Sequence, residues 1–153
     1  MSAQHMGGMN DWRGLAAVVT GGARGQGAAL VNLLLQAGAE VHVLDFLPED
    51  DTAWNTLRTQ AAATKGHLVE WHADVADPVA WQRLAQALAA SACTLQGLVN
   101  NAGITGPRNT VCQTQLPEWE RVMAINVTGP MLGIQTLAPL MPRGGAVVNI
   151  SST

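Results

Sequence analysis

Residues 15–27 read L-A-A-V-V-T-G-G-A-R-G-Q-G, an apolar run followed by a glycine-rich turn and the first residues of a helical pattern. A continuous apolar run of this length fits a strand buried on both faces. Glycines at 21, 22, 25 and 27 allow positive φ, and they keep side chains out from between a bound phosphate and the N–H groups of a helix start. The spacing is G-x-x-x-G-x-G and not the G-x-G-x-x-G of the common dinucleotide fingerprint, so the turn alone also fits an ordinary strand-to-helix connection. Its surroundings point further. Asp45 stands 20 positions beyond Gly25, at the end of the next apolar run, where an acid can accept hydrogen bonds from ribose hydroxyls.

Working outward, Leu30, Leu33, Leu34 and Ala37 fall at i, i+3, i+4 and i+7. This spacing predicts a helix over 25–37 that packs these residues on a sheet and stops at Gly38. Glu40–Leu44 alternates and is β-branched, as a second strand would be, and it ends in Asp45. A second helix is predicted over 54–63 and a third strand over 67–72. Asp77 before Pro78 is an N-cap with proline in the first turn, and Trp81, Leu84, Ala85 and Leu88 give the third helix its apolar face. Leu98–Asn100 is a short fourth strand. A long helix is predicted from Pro117, with Trp119, Val122, Met123 and Val127 on one face and a kink at Gly129–Pro130. Residues 146–150 form a fifth strand leading to Ser151 and Ser152.

Alternating strands and helices define an α/β domain with a doubly wound parallel sheet. The 153 residues suffice for one core, taken as residues 13–153 behind a flexible leader at 1–12. Net charge is −3 with a single lysine, Lys65, which argues against nucleic acid and anionic membrane surfaces as partners. No apolar stretch approaches the roughly 18 residues of a membrane helix. The first ten residues lack the apolar core of a signal peptide, so a cytoplasmic location is expected. Cys93 and Cys112 read as free thiols, and the four histidines lack metal-ligand spacing.

Ligands of such sheets lie off the carboxyl ends of the strands. Each distinctive polar cluster falls there: 21–27 after the first strand, Asp45 with Phe46 after the second, Asp74 with Val75 after the third, 101–103 after the fourth, and Ser151–Ser152 after the fifth. The charge of Asp45 would repel a 2′-phosphate, favouring NAD over NADP. Arg24 is open to two readings, a hold on a 2′-phosphate or a stack near the adenine. The Asp74 carboxylate is a candidate acceptor for the exocyclic amine of adenine. A Rossmann-like methyltransferase would need a different glycine turn, and it leaves N-N-A-G at 100–103 unexplained.

Taken in order, T-G-G-A-R-G-Q-G, Asp45, D-V at 74–75, N-N-A-G at 100–103, I-N-V-T-G around Asn126 and V-N-I-S-S at 148–152 resemble the classical short-chain dehydrogenase/reductase family. The resemblance runs from about Leu15 to Thr153. It implies a Rossmann fold of strand order 3-2-1-4-5, NAD(P) binding, and hydride transfer between a secondary alcohol and a ketone. It implies that Gly21, Arg24, Gly25, Gln26, Gly27, Asp45, Phe46, Asp74, Val75, Asn101, Ala102 and Gly103 hold the cofactor. Asn126 would support a proton-relay water and Ser152 would hydrogen-bond the substrate oxygen. A polar Asn126 inside the run M-A-I-N-V is otherwise an awkward helix residue. A homodimer or homotetramer is implied for the complete enzyme.

One departure matters. In the family a tyrosine of a Y-x-x-x-K pair, about a dozen residues past the serine, is the general acid and base, and this chain contains no tyrosine. A phenol beside an ammonium has its pKa drawn toward neutrality, which Ser152 alone does not replace. The chain is therefore expected to be the cofactor half of a longer NAD-dependent oxidoreductase, truncated after strand five. The alternatives are an NADP-dependent 3-oxoacyl reductase-type member and a non-catalytic nucleotide-binding module. With strand five at an open edge, self-association or aggregation is expected.

Overall fold

The computed structural model describes residues 11–151. Leader residues 1–10, together with Ser152 and Thr153, lie outside the described residues. Five parallel strands form one sheet in the order β3-β2-β1-β4-β5: β1 Leu15–Thr20, β2 Glu40–Asp45, β3 His67–His72, β4 Thr94–Asn100 and β5 Ala146–Asn149. This is the expected doubly wound order. β1 lies at its centre, so the turn after it opens between the strands on either side. Of the expected leader, Trp12 is tied into the fold: its N–H donates to the Ala37 carbonyl at 2.9 Å and its ring packs on the core.

Helices α1 (Gly25–Gln36) and α2 (Thr52–Ala62) cover one face of the sheet. The other face carries α3 (Pro78–Ala90) and α5 (Gly129–Leu137), and α4 (Leu116–Met123) precedes α5 without a buried residue of its own. Trp54 and Trp81 are fully buried, one in each layer. Burying an aromatic of that size contributes about 1.5–3 kcal/mol or more. Asp51 caps α2 by accepting the Ala53 N–H at 2.8 Å, and Asp77 caps α3 by accepting the Val79 N–H at 2.9 Å, with Pro78 in its first turn as expected.

Two helix faces differ from the sequence reading. In α1 the buried residues are Gly27, Val31 and Leu35, and Leu33 is 62% exposed. A Cβ at Gly27 would stand 2.1 Å from the Gly21 carbonyl oxygen, so this glycine is the point of closest approach and sets the face. The long helix behaves likewise. Ile125, Gly129, Gly133 and Leu137 face the core, while Trp119 and Val127 are more than half exposed. Between α4 and α5 the expected kink takes the form of a π-helical turn, Ala124–Thr128, in which the Gly129 N–H reaches back five residues to Ala124. Pro130 has no N–H to give the carbonyl four residues earlier, and the wider turn accommodates that gap.

Candidate functional site

The turn after β1 is fixed from both sides. Gly21 has φ +61° and Gly25 φ +58°, in the left-handed region that a side chain disfavours. The Thr20 hydroxyl oxygen accepts the N–H groups of Asn101 and Ala102, each at 3.0 Å. In return the Asn101 amide donates to the carbonyls of Thr20 at 3.0 Å and Gly21 at 2.9 Å. The ends of β1 and β4 are thus locked to each other. Asp45 adds a third tie: one carboxylate oxygen accepts the Ala23 N–H at 3.0 Å and the other the Leu47 N–H at 3.2 Å, with the residue 5% exposed. Asp45 therefore caps the turn at its own strand end through Leu47 and holds the glycine turn through Ala23.

Helix α1 starts without a side-chain cap and has no acidic residue in its first turn, unlike the aspartate-capped α2 and α3. The positive end of its dipole and its leading N–H groups stay available to an anion. Open space lies in front of Gly25, where a Cβ would meet nothing within 4 Å.

A cleft of about 160 Å³ runs across the strand ends, lined by Gly21, Arg24, Asp45, Phe46, Asp74, Val75 and Asn101–Gly103. It brings together nine of the residues picked from sequence. Gly25 lies with Arg24 on a shallower groove against α2, and Gly27 is buried beneath the turn. Gln26 and Asn126 face a second, wider groove of about 1160 Å³, which Asn101, Gly103, Met131, Asn149 and Ser151 also line. The two grooves share the 101–104 segment. Ser152 lies outside the described residues.

Asn126 sits in the π-helical turn, and both ends of its amide are taken. Oδ1 accepts the Ile104 N–H and Nδ2 donates to the Ile104 carbonyl, each at 2.9 Å. It clamps the segment after β4 to the helix. Asp74 is also engaged: Oδ1 accepts the Ala76 N–H at 2.9 Å, and Oδ2 pairs with Arg121 Nη1 at 2.6 Å. Sequence reasoning missed Thr20, Ile104 and Arg121. Arg121 was within reach, because it lies one helical turn before the buried Ile125 and so on the inward face.

Away from the site, Cys93 and Cys112 are unpaired. No cluster of metal-ligating residues is found among the described residues, and no helix there is long and apolar enough to cross a membrane.

Comparison with known proteins gives one consistent result. The family model described as short chain dehydrogenase matches residues 15–153. The chain is 36% identical over 141 residues to a 3-alpha-(or 20-beta)-hydroxysteroid dehydrogenase of Mycobacterium tuberculosis, covering 91% of this chain and 52% of that protein. It is 35% identical to a trans-4-hydroxycyclohexanecarboxylate dehydrogenase of Sinomonas cyclohexanicum, covering 89% and 54%. Among solved structures it matches a blue fluorescent protein from a metagenomic library in complex with NADPH, with TM-score 0.81 and 33% identity over 92% of this chain and 56% of that one. The chain spans about half the length of the curated relatives it matches.

Proposed function

Because the chain belongs to the short-chain dehydrogenase family, we propose that its cleft holds a nicotinamide dinucleotide for an oxidoreductase that interconverts a secondary alcohol and a ketone. The observation that carries this reading is the uncapped start of α1, whose N-cap residue Arg24 lines a cleft that collects polar residues from the ends of β1–β4. Pyrophosphate would lie on the leading N–H groups of α1, with the adenosine toward Asp45, Phe46, Asp74 and Val75. The nicotinamide side would run along Asn101–Gly103 into the wider groove. When bound, the cofactor supplies the hydride acceptor or donor.

NAD is proposed over NADP on the charge of Asp45. Two N–H bonds leave a carboxylate with spare acceptor capacity for ribose hydroxyls, whereas a 2′-phosphate would meet a like charge. Asn126 would act through its fixed position in the π-helical turn, since its amide is already committed to Ile104. Ser152 is proposed, from the resemblance, to bind the substrate oxygen. The hydroxysteroid and hydroxycyclohexane dehydrogenases among the relatives support a cyclic alcohol or ketone as substrate class.

The sequence contains no tyrosine, so none of its residues is a phenol that could exchange a proton with the substrate oxygen. Binding and turnover are therefore expected to separate: the 153-residue chain takes up the dinucleotide and oxidises no alcohol unaided. A second reading is a nucleotide-binding module without redox chemistry. Titrating the chain with NAD and NADP by calorimetry tests the common premise. Saturable binding, tighter for NAD, is expected, and no binding of either would overturn the proposal. Assaying a longer chain that includes a Y-x-x-x-K segment against cyclic alcohols then separates the two readings.

A further inference from the structure

The ion pair between Arg121 and Asp74 ties two distant parts of the chain across the mouth of the cleft. Both residues line it, and they are 47 positions apart. The pair is partly exposed, with side chains 49% and 33% accessible, so its worth to overall stability is small. Its effect on geometry is larger. A carboxylate at the end of a single Cβ rotates broadly about its terminal torsion. Here one oxygen is bound to the Ala76 N–H and the other to the guanidinium, which fixes the plane of the group. The next residue is held from α5, since a Cβ at Gly129, the first residue of that helix, would come within 2.8 Å of Val75 Cγ2. The D-V pair is held from the helix side at both residues.

We propose that Arg121 is a positioning residue that makes Asp74 a reader of the exocyclic group on the purine, selecting a 6-amino over a 6-oxo base. This rests on the dinucleotide reading of the cleft. A carboxylate has acceptors and no donor, so a fixed one accepts from an amine and repels a carbonyl oxygen. A carboxylate free to rotate discriminates less, because it can turn away from the oxo group. Were the guanidinium itself to read the base, the preference would reverse, since arginine has donors and no acceptor.

The experiment compares NAD with nicotinamide hypoxanthine dinucleotide, in which a carbonyl replaces the 6-amino group and N1 carries a proton, by calorimetric titration of the chain and its variants R121Q and R121K. The unaltered chain is expected to bind NAD about tenfold more tightly, the scale of one charge-assisted hydrogen bond. R121Q is expected to narrow that ratio to about threefold or less, mainly by weakening NAD, and R121K to recover part of it. The packing of Ile125 and Gly129 is untouched by these changes, so thermal melting is expected to stay near that of the unaltered chain. If R121Q melts early, R121K decides: a ratio equal to that of the unaltered chain overturns the inference, and an intermediate ratio supports it. Equal weakening of both dinucleotides in R121Q would mark a purely structural tie and overturn it. An unaltered chain that binds both equally, or prefers the hypoxanthine form, also overturns it while leaving the dinucleotide reading intact. Binding of neither overturns both.

Discussion

The two flanks of β1 are finished to different degrees. On the β2 side, five of the six residues of β2 are buried, α1 and α2 cover the sheet, and the strand ends carry Asp45 with both oxygens bound. On the β5 side, all four strand residues are exposed, and Val147, Val148 and Ile150 present apolar side chains at the edge. Nearby, the Oδ1 of buried Asn100 is the one buried side-chain polar atom without a partner among the described residues. The adenosine side of the proposed site therefore rests on the buried strand β2, whereas the wider groove is lined by residues of the exposed strand β5.

The sharpest way to break this contrast is to place the same charge on each flank. Val43→Asp would bury an unpaired carboxylate in β2, where the side chain is fully enclosed, and is expected to cost about 4 kcal/mol or more, enough to unfold a marginal domain. Val148→Asp, at a residue 46% exposed, is expected to change stability by less than about 0.5 kcal/mol. It should also reduce the concentration-dependent self-association expected of an apolar edge. Urea titration and size-exclusion chromatography read the two effects. Comparable losses from both substitutions would mean that the β5 face is covered in solution.

The clamp where the flanks meet comes next in size. Asn101→Ala leaves the carbonyls of Thr20 and Gly21 without their side-chain donor and is expected to cost about 1–3 kcal/mol. Dinucleotide affinity should fall in parallel, since Gly21 and Asn101 both line the cleft. Stability lost with affinity retained would show that the two strand ends are not coupled through the turn.

The finished flank was also the more legible one. The apolar run at β1 marks a strand buried on both faces, Asp77–Pro78 marks a helix start, and the polar residues at successive strand ends locate the cleft, while the alternation in 40–44 does not show that β2 is buried on both faces as well. The helix faces were misread for one reason. Period counting weighs bulky side chains, while α1 and α5 make their closest contacts through Gly27 against Gly21, Gly129 against Val75 and Gly133 against Trp81, where the absence of a side chain is the contact. Glycine carries no hydrophobic signal, so the period points to Leu33 and Trp119, which the fold leaves exposed. Arg121 escaped because its partner is 47 positions away, a pairing that no local period reports. Asp45 was read as a ligand contact, and its backbone bonds to Ala23 and Leu47 could be known only once the turn had a shape.

The smallest expected effect probes how far the closed flank depends on being closed. His42 on β2 is 3% exposed, and its Nδ1 accepts the Trp71 indole N–H at 3.1 Å, so the ring proton sits on Nε2, facing Glu40 at 3.0 Å. Burial pushes the His42 imidazole below its ordinary 6.5, against the opposing pull of Glu40, and the Trp71 donor independently blocks a second proton at Nδ1. For Glu40 burial works upward, but hydrogen bonds from His42, Ser91 and His67 outweigh it and hold the carboxyl below its ordinary 4.5. Both groups bind protons more readily in the unfolded chain, so stability rises with pH across each titration. The contribution of His42 is complete above about pH 6.5 and drains as pH falls through its lowered value; that of Glu40 is complete above about 4.5 and drains below. The melting temperature should therefore begin to fall between pH 7 and 5, before the carboxylates titrate. His42→Leu, which removes the first group while keeping the site apolar, should flatten that early slope, even though its unpaired Trp71 N–H lowers stability throughout by about 1–3 kcal/mol. An early slope of the same size in the variant would overturn its assignment to His42.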